Sequence, residues 1–209
     1  MQLRPAAARA ALVALLALNA TAPFGLATVV DAAAADTPQQ APGPLPASAG
    51  DGAIARSDDS TALLASRRLI VPIAGIPRSS LRDTFDERRG GGRHEAIDIA
   101  APHGTPVVAV GDGRIVKLFE SAPGGHTIYQ FDRDEVFAYY YAHLEGYAPG
   151  LQAGMPVKRG DVLGYVGATG NAVYGAPHLH FAIFRLGRER VWWQGTPMNP
   201  HAFLNDPER

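Results

Sequence analysis

Short apolar runs separated by glycine and proline fill most of the chain from Arg67 onward, and they predict β-strands. Runs of four to eight apolar residues bounded by turn residues are typical of strands, and no segment of this region has a strong helical period. We therefore predict a mainly β domain, an antiparallel β-sandwich or partly open barrel with short connecting loops. The predicted strands are 68–73, 94–99, 107–110, 114–119, 126–132, 136–144, 161–167 and 178–184.

The residues between these runs predict how the strands connect. Asp112 and Gly113 stand between two apolar runs, and an Asp-Gly pair in this position indicates a tight β-hairpin that joins 107–110 to 114–119. The stretch 78–93 is polar and rich in glycine and arginine, so we expect a loop there.

The first 66 residues differ in composition from the rest of the chain. Arg4 and Arg9 precede a short apolar run, residues 10–18, and small residues follow, which predicts a secretory signal within residues 1–35. The alternative is an uncleaved membrane anchor, although a spanning helix needs about 20 continuous apolar residues and this stretch is interrupted. We expect export to the periplasm or cell envelope, or secretion, with a membrane tether only if the segment stays uncleaved.

Residues 36–66 are rich in proline, alanine, glycine and serine, which is the composition of a disordered linker. The predicted organisation is a signal peptide or N-terminal anchor at 1–35, a disordered linker at 36–66, and one folded domain at 67–209.

Composition restricts the chemistry that this domain can carry out. The chain has no cysteine, which excludes disulfides, thiolate metal ligands and cysteine nucleophiles. Any metal must be held by histidine and carboxylate side chains, a set that suits zinc. The formal net charge is −1, so nothing indicates the basic surface that nucleic-acid binding requires, and we expect no nucleic-acid partner.

Two histidines flank Leu179 at the start of the last predicted strand. Successive side chains on a strand point to opposite faces, so His178 and His180 share one face while Leu179 and Phe181 face the core. Paired imidazoles opposite an apolar stripe indicate a metal or catalytic site, and the alternative is a hydrogen-bonded pair of structural histidines. The alternation does not say which of the two would bind a metal.

His94 and Asp98 are four residues apart and would share one face of another strand. The segment superficially resembles the H-E-x-x-H zinc helix with aspartate as its last residue. We reject the helix because three glycines at 90–92 precede the segment and Pro102 follows it closely.

His143 lies in the aromatic run 139–144. Alternation places it on the face of Tyr141 and opposite Leu144, and the alternative is a structural histidine packed among aromatic rings. These histidines and the one carboxylate exceed the three protein ligands that a catalytic zinc needs. The surplus suggests metal ligands accompanied by histidines that move protons.

Three short segments carry a resemblance to a known family. His94-x-x-x-Asp98, Tyr-Ala-His143-Leu and His178-Leu179-His180 resemble the signatures of the lysostaphin-type, or LytM-domain, peptidoglycan zinc metallopeptidases, and the similarity extends over residues 68–205. The resemblance implies the lysostaphin-type fold, which is like a duplicated hybrid motif. It also implies that His94, Asp98 and His180 bind one Zn²⁺ per chain and that His143 and His178 are the catalytic histidines.

The resemblance further implies an activity. We expect an exported zinc metalloendopeptidase that uses metal-activated water to hydrolyse peptide cross-links, with the peptide stems of bacterial peptidoglycan as its partner. One of the two catalytic histidines would take the proton of the water, and the other would stabilise the oxyanion or protonate the leaving amine. The alternatives are a catalytically silent member of the fold that binds cell wall and activates an amidase, and a secreted protein-directed endopeptidase.

Overall fold

The computed structural model describes residues 53–90, 92–172 and 175–206, with residues 53–58 described by their backbone alone. All of the described residues lie in one compact unit. The helix is α1 (Ala53–Ser66), and single 3-10 turns cover Arg78–Ser80, Gly170–Ala172 and Pro200–Ala202. The strands are β1 (Arg88–Arg89), β2 (Gly92–Arg93), β3 (Ile97–Ala100), β4 (Pro106–Val108), β5 (Gly113–Ser121), β6 (Gly125–Asp132), β7 (Phe137–Tyr147), β8 (Pro156–Val157), β9 (Val162–Val166), β10 (His178–Leu186) and β11 (Gly195–Met198).

Nine of the strands form one antiparallel sheet, which confirms the predicted mainly β class. The hydrogen-bonded order is β11-β10-β7-β6-β5-β8, while β3 pairs with β10, and β9 pairs with both β4 and β7. The path has two ends, so the sheet is not a closed barrel. β1 and β2 form a separate two-stranded hairpin.

The core lies against one face of β7 and β10. Leu179, Phe181 and Ile183 alternate along β10 and are fully buried, as the sequence predicted. From β7, Tyr139 and Tyr141 join the same core. The opposite face of β10 therefore presents His178 and His180.

The predicted hairpin between 107–110 and 114–119 is wrong. β4 pairs with β9, and β5 pairs with β6 and β8. The backbone of residues 108–110 forms hydrogen bonds with Pro72, Asp161 and Ile70. These backbone groups are therefore not available to pair with β5. Gly113 instead lets β5 pass close to the backbone of Phe131, because a Cβ at position 113 would stand 1.9 Å from the carbonyl oxygen of Phe131.

Two other local expectations differ from the structure. The predicted strand 68–73 is reduced to isolated bridges at Ile70 and Ile73. The predicted loop 78–93 contains a 3-10 turn and both strands of the β1–β2 hairpin. Both differences arise because short backbone pairings form where tertiary contacts supply a partner, and such contacts leave little local signal.

The folded region begins before Arg67, within the segment expected to be a disordered linker. Residues 53–66 are helical, and Leu64 is fully buried in the core. At the end of α1, Arg67 forms ion pairs with Asp132 and Asp134. The rest of the expected linker, 36–52, and the expected signal at 1–35 lie outside the described residues. No helix in the part of the chain that is described is both long and apolar enough to cross a membrane.

Candidate metal centre

The pairing of β3 with β10 brings a carboxylate and an imidazole together. In this antiparallel register His180 stands opposite Asp98, and His178 stands opposite Ala100. Nδ1 of His180 lies 3.2 Å from Oδ1 of Asp98. The backbone of Asp98 is also fixed, because its N–H donates to the hydroxyl of Thr84 at 3.2 Å.

His94 reaches the same carboxylate from outside the sheet. β3 begins only at Ile97, and Glu95 has a φ of 54°, so the predicted single strand over 94–99 is wrong. This turn is fixed by backbone hydrogen bonds from His94 to Glu87 and from Glu95 to Phe85. The imidazole of His94 is thereby directed toward Asp98, with Nε2 3.1 Å from Oδ1.

The orientation of the His94 ring is set by its second nitrogen. Nδ1 lies 3.0 Å from the carbonyl oxygen of Thr84, which can only accept, so Nδ1 carries the proton and Nε2 keeps its lone pair. Imidazoles that bind metals are commonly fixed in this way by a carbonyl or carboxylate.

His94, Asp98 and His180 form a donor set that fits a metal ion. One donor atom from each lies within 4.8 Å of the other two, and all three residues are half-buried. Two imidazole nitrogens and a carboxylate oxygen match the ligand types of catalytic zinc sites, which leave one position open. The chemistry and the spacing of these atoms therefore fit Zn²⁺.

The charges at this cluster suit metal binding. Burial opposes ionisation of Asp98, but its close contacts with His180, His94 and Arg89 outweigh that effect and hold the pKa of Asp98 well below its ordinary value. Burial lowers the pKa of His180, and this outweighs the opposite effect of Asp98. An ionised carboxylate beside a neutral imidazole is the protonation state that metal ligands need.

His143 reaches the cluster through an irregularity in β7. The registers of β7 with β6 and with β9 both shift near this residue, whose φ is 61°. The predicted alternation is therefore wrong: Tyr141 and Leu144 are both in the core, while the His143 ring lies 4.9 Å from the His178 ring and 5.7 Å from the His180 ring, between centroids.

His143 and His178 are fixed in the same way. Nδ1 of His143 lies 2.9 Å from the carbonyl oxygen of Thr169, and Nδ1 of His178 lies 2.9 Å from that of Ala176. Both Nδ1 atoms must donate to these carbonyls, so each neutral ring keeps a lone pair on Nε2. Nε2 of His178 is 3.9 Å from Oδ1 of Asp98.

The environment of His143 favours its neutral form. Burial, followed by the nearby imidazoles of His180 and His178, lowers the pKa of His143 to about 4. The ring is therefore neutral at neutral pH, and its Nε2 lone pair is available.

Two groups near the cluster were not predicted from the sequence. Thr84 contributes its carbonyl to His94 and its hydroxyl to Asp98, and Arg89 donates to Asp98. Both lie in the segment 78–93, which reads as an ordinary polar loop. A threonine or an arginine in such a loop gives no sequence signal of its role.

An aromatic row lies beside the cluster on the outer face of the sheet. The Tyr140 ring is 6.0 Å from that of His180 and 4.6 Å from that of Tyr129, and Trp192 packs against Tyr129 at 4.7 Å. Trp193 packs on Trp192 and is 40% exposed. The row therefore runs from His180 through Tyr140, Tyr129 and Trp192 to Trp193.

The remaining histidines take part in other contacts. His103 pairs with Glu145 on the surface, His126 packs edge-on against Tyr147, and His201 binds the guanidinium of Arg78. None of these three belongs to the four-histidine arrangement around Asp98.

Comparison with known proteins identifies the family. Residues 92–200, which include all five of His94, Asp98, His143, His178 and His180, match peptidase family M23. The chain belongs to peptidase family M23. This family match and the similarity to lysostaphin given below confirm the predicted resemblance to the lysostaphin-type enzymes.

Relatives of this M23 chain include named endopeptidases. It is 35% identical over 138 residues to the L-Ala–D-Glu endopeptidase of Bacillus subtilis (strain 168), covering 62% of this chain and 41% of that protein. It is 38% identical over 92 residues to lysostaphin of Staphylococcus simulans, covering 44% of this chain and 18% of that protein. Helicobacter pylori Csd3 superposes with a TM-score of 0.51 at 27% identity, covering 66% of this chain and 33% of that one. The chain thus spans less than half the length of these relatives.

Proposed function

We propose that this M23 family member is a zinc metalloendopeptidase that hydrolyses peptide cross-links of bacterial peptidoglycan. The observation that carries the proposal is the convergence of one donor atom each from His94, Asp98 and His180 within 4.8 Å, with two further imidazoles beside them. The relative from Bacillus subtilis is named for a bond to a D-amino acid, the kind of residue that peptidoglycan stems contain. That name supports peptide stems as the substrate.

His94, Asp98 and His180 would hold the zinc through Nε2, a carboxylate oxygen and Nδ1. When bound, zinc supplies Lewis acidity toward a peptide carbonyl and lowers the pKa of water toward about 7. The protein prepares these donors beforehand, since Thr84 fixes the tautomer of His94 and the hydrogen bonds around Asp98 keep its carboxylate ionised.

His143 is proposed to take up the proton of the attacking water. Its Nδ1 donates to Thr169, so its Nε2 is the atom that accepts, and its lowered pKa keeps that lone pair available at neutral pH. His178 would then carry a second proton on Nε2 and donate it to the developing oxyanion or to the leaving amine, and the proton that His143 takes from the water would replace it before the next cycle.

We also propose that the enzyme acts outside the cytoplasm, where its substrate is found. The predicted signal within residues 1–35 supports export, and the absence of cysteine means that folding needs no disulfide in that compartment.

The test is hydrolysis of purified peptidoglycan by the full chain, followed by counting new amino groups and by mass spectrometry of the released peptides. Wild type should release peptides, and His143→Ala should release them roughly 10²–10⁴-fold more slowly while still holding metal. Wild type that binds the wall but releases nothing would favour the silent amidase-activating alternative. Cleavage of elastin-like protein without cleavage of peptidoglycan would favour the protein-directed alternative.

A further inference from the structure

Arg89 binds the metal-site carboxylate from the side opposite to the histidines. Its Nη1 lies 2.5 Å from Oδ2 of Asp98, and its Nη2 lies 2.8 Å from Oε2 of Glu87. Arg89 belongs to β1 and precedes residues 92–200, the part of the chain that matches the family. The contact is therefore formed by a segment that the family match does not include.

The two oxygens of Asp98 have different partners. Oδ1 faces Nε2 of His94 and Nδ1 of His180, at 3.1 and 3.2 Å, while Oδ2 accepts from Arg89. A carboxylate held at both oxygens cannot rotate about its terminal bond without breaking one set of contacts. Only Oδ1 is then directed to the position that the two imidazole donors share.

We propose that Arg89 is a positioning residue that holds Asp98 as a one-oxygen metal ligand. This inference rests on the proposed function of the cluster as a zinc site. Guanidinium is suited to the task because its planar donors bind two carboxylates at once in a fixed geometry. The more flexible ammonium of lysine has the same charge but lacks that geometry.

Glu87 makes the arrangement compatible with a bound cation. A guanidinium close to Zn²⁺ would repel it, and unit charges a few ångströms apart interact by several kcal/mol where water is partly excluded. The carboxylate of Glu87 offsets the charge of Arg89, so the pair supplies oriented hydrogen-bond donors with little net charge.

The β1–β2 hairpin fixes Arg89 relative to the cluster. Arg89 pairs with Gly92 in the hairpin register, and His94 follows directly and donates its backbone N–H to Glu87 at 2.8 Å. The hairpin thus orients one ligand, His94, by covalent connection and another, Asp98, through Arg89.

The experiment compares Arg89→Lys with Arg93→Lys in the full-length protein. Arg93 lies in the same hairpin and pairs with Asp86 at 3.1 Å with both side chains largely exposed, so it is a matched control that keeps the charge. Zinc affinity is measured by competition with a chelator, and ligand geometry by the visible absorption of the Co²⁺-substituted protein.

We expect Arg89→Lys to bind zinc about tenfold more weakly, since loss of a partner that orients a metal ligand costs roughly 10–100-fold in affinity. Its Co²⁺ spectrum should change, because a released carboxylate alters the ligand field. Arg93→Lys should match wild type in both measurements, and Glu87→Gln should also weaken zinc binding.

Unchanged zinc affinity and an unchanged Co²⁺ spectrum in Arg89→Lys would overturn the inference while leaving the metal site intact. Tighter binding would overturn it too, since Arg89 would then compete with the metal. Failure of wild type to bind zinc would instead refute the proposed function together with this inference. Thermal unfolding of each variant establishes that it is folded.

Discussion

Nε2 of His94 lies 3.0 Å from Nδ1 of His180, although 86 positions separate the two residues in the chain. Both nitrogens also face the same oxygen of Asp98. Two imidazoles and a carboxylate that converge in this way present their lone pairs to one small volume. A bound cation would satisfy all three donors together.

Removal of one donor should weaken metal binding strongly. His180→Ala is expected to weaken zinc affinity by more than the roughly 100-fold that loss of an outer hydrogen-bond partner can cost. Chelator competition measures this effect. His103→Ala is the control, because His103 pairs with Glu145 on the surface and should leave the affinity unchanged. Equal affinities in the two variants would contradict the assignment.

Loss of His143 should separate catalysis from metal binding. His143→Ala removes the proposed proton acceptor but none of the three donors, so zinc content should stay at one ion per chain. Peptidoglycan hydrolysis should fall by roughly 10²–10⁴-fold, the usual contribution of a positioned acid or base. Hydrolysis within tenfold of wild type would show that another group takes the proton.

The pH dependence of stability should report the burial of His143. Its pKa is about 4 in the folded, metal-free protein, below the ordinary value of 6.5. Between these values the unfolded chain binds a proton here that the folded chain does not, so the free energy of unfolding falls as pH drops from about 6.5 to about 4. His180 contributes with the same sign.

His143→Gln should therefore lose less stability than wild type over that pH window. Urea denaturation in the presence of a chelator at both ends of the window measures the difference. Parallel pH profiles for the two proteins would mean that His143 titrates normally in the folded state.

Helix α1 should contribute to the stability of the domain through one leucine. Leu64 is fully buried, while its neighbour Leu63 is 37% exposed. Leu64→Ala should lower the free energy of unfolding by about 2–5 kcal/mol, and Leu63→Ala should change it by no more than about 0.5 kcal/mol. Similar urea midpoints for the two variants would show that the helix is not docked on the core.

A glycine beside Thr169 should affect His143 without affecting the metal. Gly125 has a φ of 62°, and a Cβ there would stand 2.1 Å from the Thr169 hydroxyl oxygen. Gly125→Ala should displace Thr169, whose carbonyl orients His143, and so reduce hydrolysis while zinc affinity is retained. Gly146→Ala, where a Cβ meets nothing within 4 Å, is the control in β7. Equal activity of both variants would contradict this role of Thr169.

Alternation along the chain predicted the fold class and one strand of the site in detail. On β10 the core face and the histidine face follow the two-residue period because this strand is regular and pairs with β3, β7 and β11. The grouping of His94 with Asp98 was also predicted, but from an incorrect strand. A turn at Glu95, held by Phe85 and Glu87, brings the two side chains together.

Other features depend on contacts that a single sequence does not reveal. His143 leaves the predicted face because β7 has an irregular register where it meets two other strands. The sequence of helix α1 resembles a linker because alanine, serine and aspartate dominate it, and one buried leucine is a weak signal. Arg89 and Thr84 act on the cluster only after the loop 78–93 folds against β3.

The most direct test of this account is peptidoglycan hydrolysis by the wild-type chain before chelation, after chelation, and after zinc is returned. Wild type should release new amino groups at the start and none after chelation, and its activity should recover fully at one zinc per chain. His180→Ala should release none at any stage. Hydrolysis that persists without metal, or a fully zinc-loaded wild type that releases nothing, would contradict the assignment of His94, Asp98 and His180 as a catalytic metal centre.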